Sequence, residues 1–505
     1  MPMSTKIMNS VIWNSGSQLY MALVAIMVIP VFTNFFGPSV YGLIAFSVLL
    51  QSIMNMLDLG FSALLSRESS RYRSGIGEAA FFKSLLHHLK KIFLILAVFI
   101  FSLFFFGSDF VAKVWLNSDD LEPQLVNHCI QLIALILSLR WICIYYRSLV
   151  FGLDALRWLA VFNVSITTLK FLVIIPLMYF WDFTIVEYFA YQLMIQLFEL
   201  VLLVAKTNKL LNFADSIEVR PLSKAEYAQT FSFCIAVGVS TLLWIATTQV
   251  DKIYVSAMSE LADFSFFYIA VTVAGVITVM TAPMINAALP KVTILYSSGS
   301  FEAISHIFGI LLTSVTVLVL PTCAITFLYG AELLSIWSNE PDFVAQVNPI
   351  LKWYVLGNSV LAIASVSYVL NFAAGDLRLR NLSSLFLLVC IVVSAPIGIY
   401  FAGVEGCSWA WCISVIIYFF VWQPVLIGKF SKFAFRNYVF VDFVPAICAV
   451  TLISYVLEYS NLALKGTAEV VVTTSAIWVF LTLIAALSSK TFRKFIEHWI
   501  KSHYA

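Results

Sequence analysis

The chain has 505 residues, 61% of them hydrophobic and only 11% charged, with a formal net charge of +2. Ordinary soluble domains carry roughly 25% charged residues, so one or two soluble domains are excluded. The net charge itself says little about partners, because most of the charge lies in the connecting loops; no nucleic-acid partner is expected.

Apolar runs long enough to cross about 30 Å of hydrocarbon recur from end to end. In chain order they cover 7–34, 40–65, 91–107, 124–150, 158–179, 184–206, 228–258, 264–289, 303–329, 347–372, 381–401, 404–427, 438–458 and 468–488. The pattern predicts an all-α polytopic membrane protein of about fourteen transmembrane helices. The first run is too long for a signal peptide, contains Asn14 and Gln18, and is followed by no small-residue cleavage site, so it reads as span 1. The connecting segments alternate in charge. Of the 29 Lys and Arg residues, 23 fall on one side and two, Lys113 and Lys465, on the other, while Arg140, Lys170, Lys252 and Lys352 lie within spans. By the positive-inside rule the basic side, with both termini, is cytoplasmic. Arg67, Arg71 and Arg73 form the cytoplasmic stop of span 2.

Two stretches read as basic amphipathic helices lying on the cytoplasmic surface. One is "EAAFFKSLLHHLKK" (78–91), with Phe81, Phe82, Leu85, Leu86 and Leu89 on one face. The other is "KTFRKFIEHWIKSHYA" (490–505), with Phe492, Phe495, Ile496 and Trp499. The eight cysteines include no CxxC pair and the histidines no HExxH motif, so no metal site and no cofactor is indicated.

A charge at bilayer depth costs roughly 2.5–3.5 kcal/mol, so each one needs an explanation. Asp58 precedes Arg67 by nine residues, about 13 Å along a helix. It is either paired structurally, with Arg140 or a neighbour of Arg67, or it is a carboxylate that binds a coupling cation or proton. Lys170 lies near the middle of span 5 and Arg140 in the cytoplasmic half of span 4. Facing a cavity, both would suit an anionic group, Arg in bidentate fashion; the alternative is structural pairing. Lys352 reads as a snorkelling anchor. Lys252 follows Asp251 directly, so only one of the two need face a cavity. Polar residues recur at three- or four-residue steps: Ser10, Asn14, Ser17 and Gln18 in span 1; Gln192, Gln196 and Glu199 in span 6; Ser240, Trp244, Thr247, Thr248 and Asp251 in span 7. Each stripe lies on one helix face, lining a wet interior or bonding helix to helix. Pro176 and Pro283 are candidate kinks.

An internal repeat emerges at two places. "SALLSR" at the end of span 2 matches "NAALPK" at the end of span 8, and "FGLDALR" matches "AGDLRLR", pairing Gly152 with Gly375 and Arg157 with Arg380. The unit holds six spans, an even number, so its two copies insert in the same orientation. The predicted organisation is a six-helix lobe over 1–206, a linker at 207–227, a second six-helix lobe over 228–427, and two extra helices with a basic tail over 428–505.

Three segments carry a family resemblance. "FFGPSVYGLIAFSVLLQSIMNMLDLGFSALLSRE", "TTQVDKIYVSAMSELADFSFFYIAVTVAG" and "GVEGCSWAWCIS" resemble Wzx-type O-antigen flippases of the multidrug/oligosaccharidyl-lipid/polysaccharide exporter superfamily. The resemblance implies translocation of an undecaprenyl-pyrophosphate-linked oligosaccharide across the bacterial inner membrane by alternating access, coupled to H+ or Na+. A polysaccharide polymerase and a chain-length regulator are further implied partners. It carries the family's span-2 Asp and Arg onto Asp58 and Arg67, and its second-lobe Asp onto Asp251. The expected substrate-cavity residues are Arg140, Lys170, Asn14, Gln18, Gln192, Gln196, Trp244 and Lys252, and the expected coupling residues Asp58, Asp251 and Glu199. The alternatives are a lipid II-type flippase, a multidrug antiporter of the same superfamily, or a membrane polymerase or ligase. The last lacks a sizeable periplasmic loop and any catalytic constellation.

Overall fold

The computed structural model describes residues 2–116, 120–211, 219–459 and 466–494, without the side chains of 2–12, 14, 15, 229, 233 and 236. Among these residues there is no β-strand, and thirteen helical segments are long and apolar enough to cross a membrane. One of them, Arg378–Phe430, has 53 residues and would extend about 80 Å if straight, more than twice the hydrocarbon thickness. It breaks at Ala402 and at Gly403, where φ is +56°. Beside the break Gly398 and Gly406 meet backbone to backbone, so a Cβ on either would strike the other's carbonyl. The segment is therefore two spans, and the total agrees with the expected fourteen.

The chain divides into two compact units, Met1–Ser265 and Phe266–Ala505. The boundary falls after span 7, so the linker read at 207–227 lies inside unit 1; its residues 212–218 lie outside the described set.

In unit 1, α1 (Pro2–Met27) and α2 (Ile29–Phe36) form span 1. They are separated where Pro30 removes a backbone donor, and Thr33 returns its hydroxyl to the carbonyls of Ile29 and Pro30. Gly37 (φ +81°) and Pro38 turn the chain into α3 (Pro38–Met54). A 3-10 turn (Asn55–Asp58) and the left-handed pair Leu59–Gly60 then interrupt span 2 before α4 (Phe61–Arg73). α5 is Ala79–Phe106 and α6 the short Ser108–Phe110, followed by a π-helical turn (Val111–Trp115). Next come α7 (Pro123–Gly152), α8 (Leu156–Thr167), a second π-helical turn (Thr168–Val173), α9 (Ile174–Trp181), α10 (Ile185–Leu210) and α11 (Lys224–Met258).

The expected surface helix at 78–91 is corrected here: it is the first half of α5, continuous with span 3. Phe82, Leu85, Leu86 and Leu89 continue into Phe93, Ala97, Ile100 and Phe104 as one buried stripe. The stripe meets protein, with Phe93 stacked on Trp141 at 5.2 Å and the Tyr145 hydroxyl donating to the Leu86 carbonyl. An amphipathic face looks alike in sequence whether lipid headgroups or a neighbouring helix cover it.

α12 (Leu261–Ala274) crosses the unit boundary. Unit 2 continues with α13 (Val276–Ser297), which carries Pro283 inside it, then α14 (Phe301–Ser338), α15 (Pro341–Ser365), α16 (Tyr368–Ala373) and the double span α17 (Arg378–Phe430). It ends with α18 (Phe435–Tyr438), a third π-helical turn (Val439–Phe443), α19 (Val444–Tyr459) and α20 (Thr467–Ser488). Ala446, Val450, Ile477 and Leu481 pack the last two spans against Val317 and Ile325 of α14. Beyond α20, Asp442 accepts from the Ser489 hydroxyl and from the backbone and hydroxyl of Thr491, fixing where the tail begins. Of the expected tail face, Phe492 packs on this cluster, while Phe495, Ile496 and Trp499 lie outside the described residues.

Candidate functional site

A cavity of about 490 Å³ lies within unit 1, framed by α1, α3, α7, α8 and α10. Its apolar wall comes from residues such as Met21, Ile44 and Ile133, and its polar wall from Ser47, Gln51 and Asn55. Four charges meet in it: Arg140, Arg147, Lys170 and Glu199.

Lys170 owes its position to the π-helical turn. Such a turn widens the helix and frees carbonyl groups, which need new donors inside a membrane. Gln192 supplies one to the Lys170 carbonyl at 2.9 Å and Tyr191 another to the Leu169 carbonyl at 2.8 Å. Tyr20 shares a 2.7 Å hydrogen bond with Thr168. Gln192, expected to bind substrate, thus also holds the backbone that presents Lys170.

Glu199 is the centre of the cluster and is 2% exposed. Lys170 donates to its Oε2 at 2.9 Å, and Arg147 to its Oε1 from Nε at 3.0 Å and from Nη2 at 2.7 Å. Lys170 also donates to Gln196 Oε1 at 2.9 Å, Gln196 to Cys143 Sγ at 3.2 Å, and Arg147 to Asn163. Glu199, Lys170 and Arg147 thereby each have a charged or amide partner, which offsets their desolvation. Arg140 lines the same cavity but, among the described residues, makes no hydrogen bond and no ion pair. Three cations against one carboxylate leave the cavity positive.

The structure therefore brings together Arg140, Lys170, Gln192, Gln196 and Glu199 from the sequence-derived set. Arg147 and Asn163 were missed. Arg147 counts in sequence as a cytoplasmic charge, yet it stands seven residues after Arg140, two helical turns along the same face. Gln18 is exposed on the α1 face that carries Met21 and Ala25 and does not itself line the cavity. The Asn14 side chain lies outside the described residues.

The other candidates sit elsewhere. In α11, Asp251 is fully buried, and Lys252 curls back to it at 3.2 Å and to the Thr248 carbonyl at 2.5 Å. Both members of the pair thus turn to the same place, which the long lysine stem permits. Trp244, on the same helix, is partly exposed. Asp58 lies at the break in span 2, where its Oδ1 accepts from the backbone of Ser62 at 3.0 Å and from its hydroxyl at 2.7 Å, capping α4. The anticipated pairing of Asp58 with Arg140 is absent among the described residues. At this break Gly60 (φ +84°) stands so close to α11 that a Cβ would lie 2.6 Å from the Cys234 carbonyl oxygen, while a Cβ on Gly238 would lie 2.6 Å from the Leu59 backbone. Glycine is required on both sides of this contact. At the C-terminal end of α4 Arg67 and Arg71 flank Glu68 at 3.6 and 3.3 Å, and Arg73 meets Asp154 at 3.0 Å.

The fold has solved counterparts. It is shared with a solved lipid II flippase MurJ in an inward closed conformation (TM-score 0.74, 13% identity, covering 96% of this chain and all of that one). It is shared also with an inward-facing multidrug resistance MATE family transporter of the MOP superfamily (0.65, 12%, 81% and 94%) and with a Vibrio cholerae MATE transporter (0.57, 12%, 85% and 98%). No curated protein matches the sequence. The family profile described as polysaccharide biosynthesis protein matches residues 7–293, and the chain belongs to that family.

Proposed function

We propose that this protein is a flippase carrying an undecaprenyl-pyrophosphate-linked oligosaccharide, an O-antigen or similar repeat unit, from the cytoplasmic to the periplasmic leaflet of a bacterial inner membrane. The observation that carries this reading is the excess of positive charge in the unit 1 cavity, with Arg140 uncommitted. A pyrophosphate diester keeps one ionised oxygen on each phosphorus, and guanidinium suits it geometrically. Asn163, Gln51 and Asn55 add amide groups of the kind that recognise sugar hydroxyls. A cationic drug would meet repulsion in the same place, which counts against a multidrug antiporter. The protein acts as a transporter rather than an enzyme, by alternating access between two parallel six-span lobes, with both termini cytoplasmic. Asp58 and Asp251 are the candidates for H+ or Na+ coupling. Glu199, held by two cations, serves the cavity instead. A polymerase and a chain-length regulator would receive the flipped unit.

Leaflet location of the lipid-linked repeat unit tests the reading. Membrane vesicles of known sidedness are probed with an impermeant glycan-modifying enzyme, with and without the protein. The unit is expected to stay on the cytoplasmic face only when the protein is missing. A unit that reaches the periplasmic face regardless overturns the reading for that substrate.

A further inference from the structure

From the cavity geometry we infer that Glu199 is a resident counter-ion which holds the place of the substrate anion in the empty site, so that its charge governs how readily that anion leaves. This rests on the reading of the cavity as an anion site. Two cations drawn this far out of water would repel each other; Glu199 keeps Lys170, 13% exposed, and the partly exposed Arg147 apart, oriented and neutralised. It does so without consuming their whole donor capacity. Arg147 commits Nε, one Nη1 hydrogen and one Nη2 hydrogen, and Lys170 commits two of its ammonium hydrogens.

The remaining N–H groups and the whole Arg140 guanidinium are available to an arriving anion. That anion enters beside a carboxylate 3% exposed, and the two negative groups then compete for Arg147 and Lys170. Competition weakens binding and hastens release. A carrier needs both halves of that bargain, because a site built of cations alone would retain its cargo. Glu199 is therefore a positioning residue for the cations and a release device for the anion.

The test uses the purified full-length protein in detergent, with farnesyl pyrophosphate as probe and uncharged farnesol as control, binding being read by calorimetry. E199Q keeps an acceptor and the shape but removes the charge, and is expected to bind farnesyl pyrophosphate about tenfold tighter while transporting more slowly; farnesol binding is unchanged. R140Q is expected to bind the pyrophosphate more weakly. If R140Q weakens binding but folded E199Q does not tighten it, the counter-ion role is overturned and the anion site stands. If wild-type protein does not distinguish the pyrophosphate from farnesol, or R140Q binds as well as wild type, both fall. Should E199Q fail to fold alone, the double variant K170Q/E199Q decides. That charge-removing change in the K170Q background has one cation fewer left without its counter-charge, so tighter binding than K170Q alone is again expected, and unchanged or weaker binding overturns the inference.

Discussion

The unit 1 cavity and the region of unit 2 that the sequence repeat pairs with it are built from the same kinds of helix and filled by opposite means. At the offset of 223 residues that pairs Gly152 with Gly375 and Arg157 with Arg380, the four cavity charges Arg140, Arg147, Lys170 and Glu199 fall on Ile363, Leu370, Val393 and Trp422. Unit 2 has no ion cluster in their place among the described residues. Trp411 lies there instead, stacked on Tyr354 with ring centroids 5.5 Å apart and donating to Asn358 at 3.2 Å, with Gly357 making room for the indole. Buried charge is costly and must be mutually satisfied. The chain concentrates that cost in one unit, where polar substrate contacts would use it, and packs the other with rings.

The largest effects, in stability, should come from breaking each arrangement at its centre. Glu199→Ala leaves Lys170, 13% exposed, and the partly exposed Arg147 without a counter-charge and is expected to cost about 3 kcal/mol, the low end for breaking a buried pair. Trp411→Ala opens a void and costs about 3–5 kcal/mol. The rescues should differ. Glu199→Gln restores only part of the first loss, because its one amide oxygen can accept from Arg147 or from Lys170 but not from both, whereas Trp411→Phe restores much of the second because it keeps the stacked ring. Thermal unfolding in detergent reads both. Equal rescue of Glu199→Ala by an apolar residue would show that the unit 1 cluster is mere packing.

A smaller loss is expected at the broken helix. Gly60→Val forces a β-branched residue into φ +84° and against the Cys234 carbonyl, with strain of about 1–3 kcal/mol. Gly403, at the corresponding kind of break in unit 2, has nothing within 4 Å of an added Cβ, so Gly403→Ala should cost only its backbone strain. Unfolding temperatures should rank Gly60→Val below Gly403→Ala. Smaller still is the stability effect of Arg140→Gln. That arginine has no bonded partner to lose, so its replacement should change stability by less than about 1 kcal/mol while abolishing flipping in the vesicle assay. A loss of folded protein instead would make Arg140 structural.

The outcome for Arg140 bears on what sequence can reveal. Span count and membrane class were legible because a bilayer imposes length and apolarity on every crossing. The charges at depth were legible for the same reason, since Lys170, Arg140 and Glu199 break long apolar runs. Their mutual arrangement was not: Glu199 joins Arg147, 52 residues away in sequence, and no periodicity encodes that distance. Asp58 was noticed but misplaced as a mid-helix charge, although the glycine two residues later marks a left-handed turn where a carboxylate caps the next helix. The stripe at 78–91 failed for a further reason, because a helix face does not declare what covers it.

The smallest effect lies outside the spans and sharpens the comparison from the unit 2 side, at an ion pair between the turn after α16 and the end of α17. Asp376, between α16 and α17, accepts from Lys429 at 2.9 Å and from the backbone of Arg378 at 3.0 Å. The hydrogen bond from Lys429, with that from Arg378, holds its carboxyl below the usual aspartate value of 3.8. The sign follows: a carboxylate with a lowered folded-state pKa contributes stability above the ordinary value and loses it as pH falls through the folded one. Wild type and Asp376→Asn should thus unfold at nearly the same temperature at the acid end, with wild type gaining slightly as pH rises to the ordinary value of 3.8 and keeping that gain above it. The gain should shrink in high salt, because the pair is exposed. By contrast, the Lys170–Glu199 pair, 13% and 3% exposed, should hold its contribution nearly unchanged over the same salt range. Equal salt sensitivity at both places would mean that the unit 1 cluster is as wet as a surface ion pair, and the contrast between the two units would reduce to one of sequence alone.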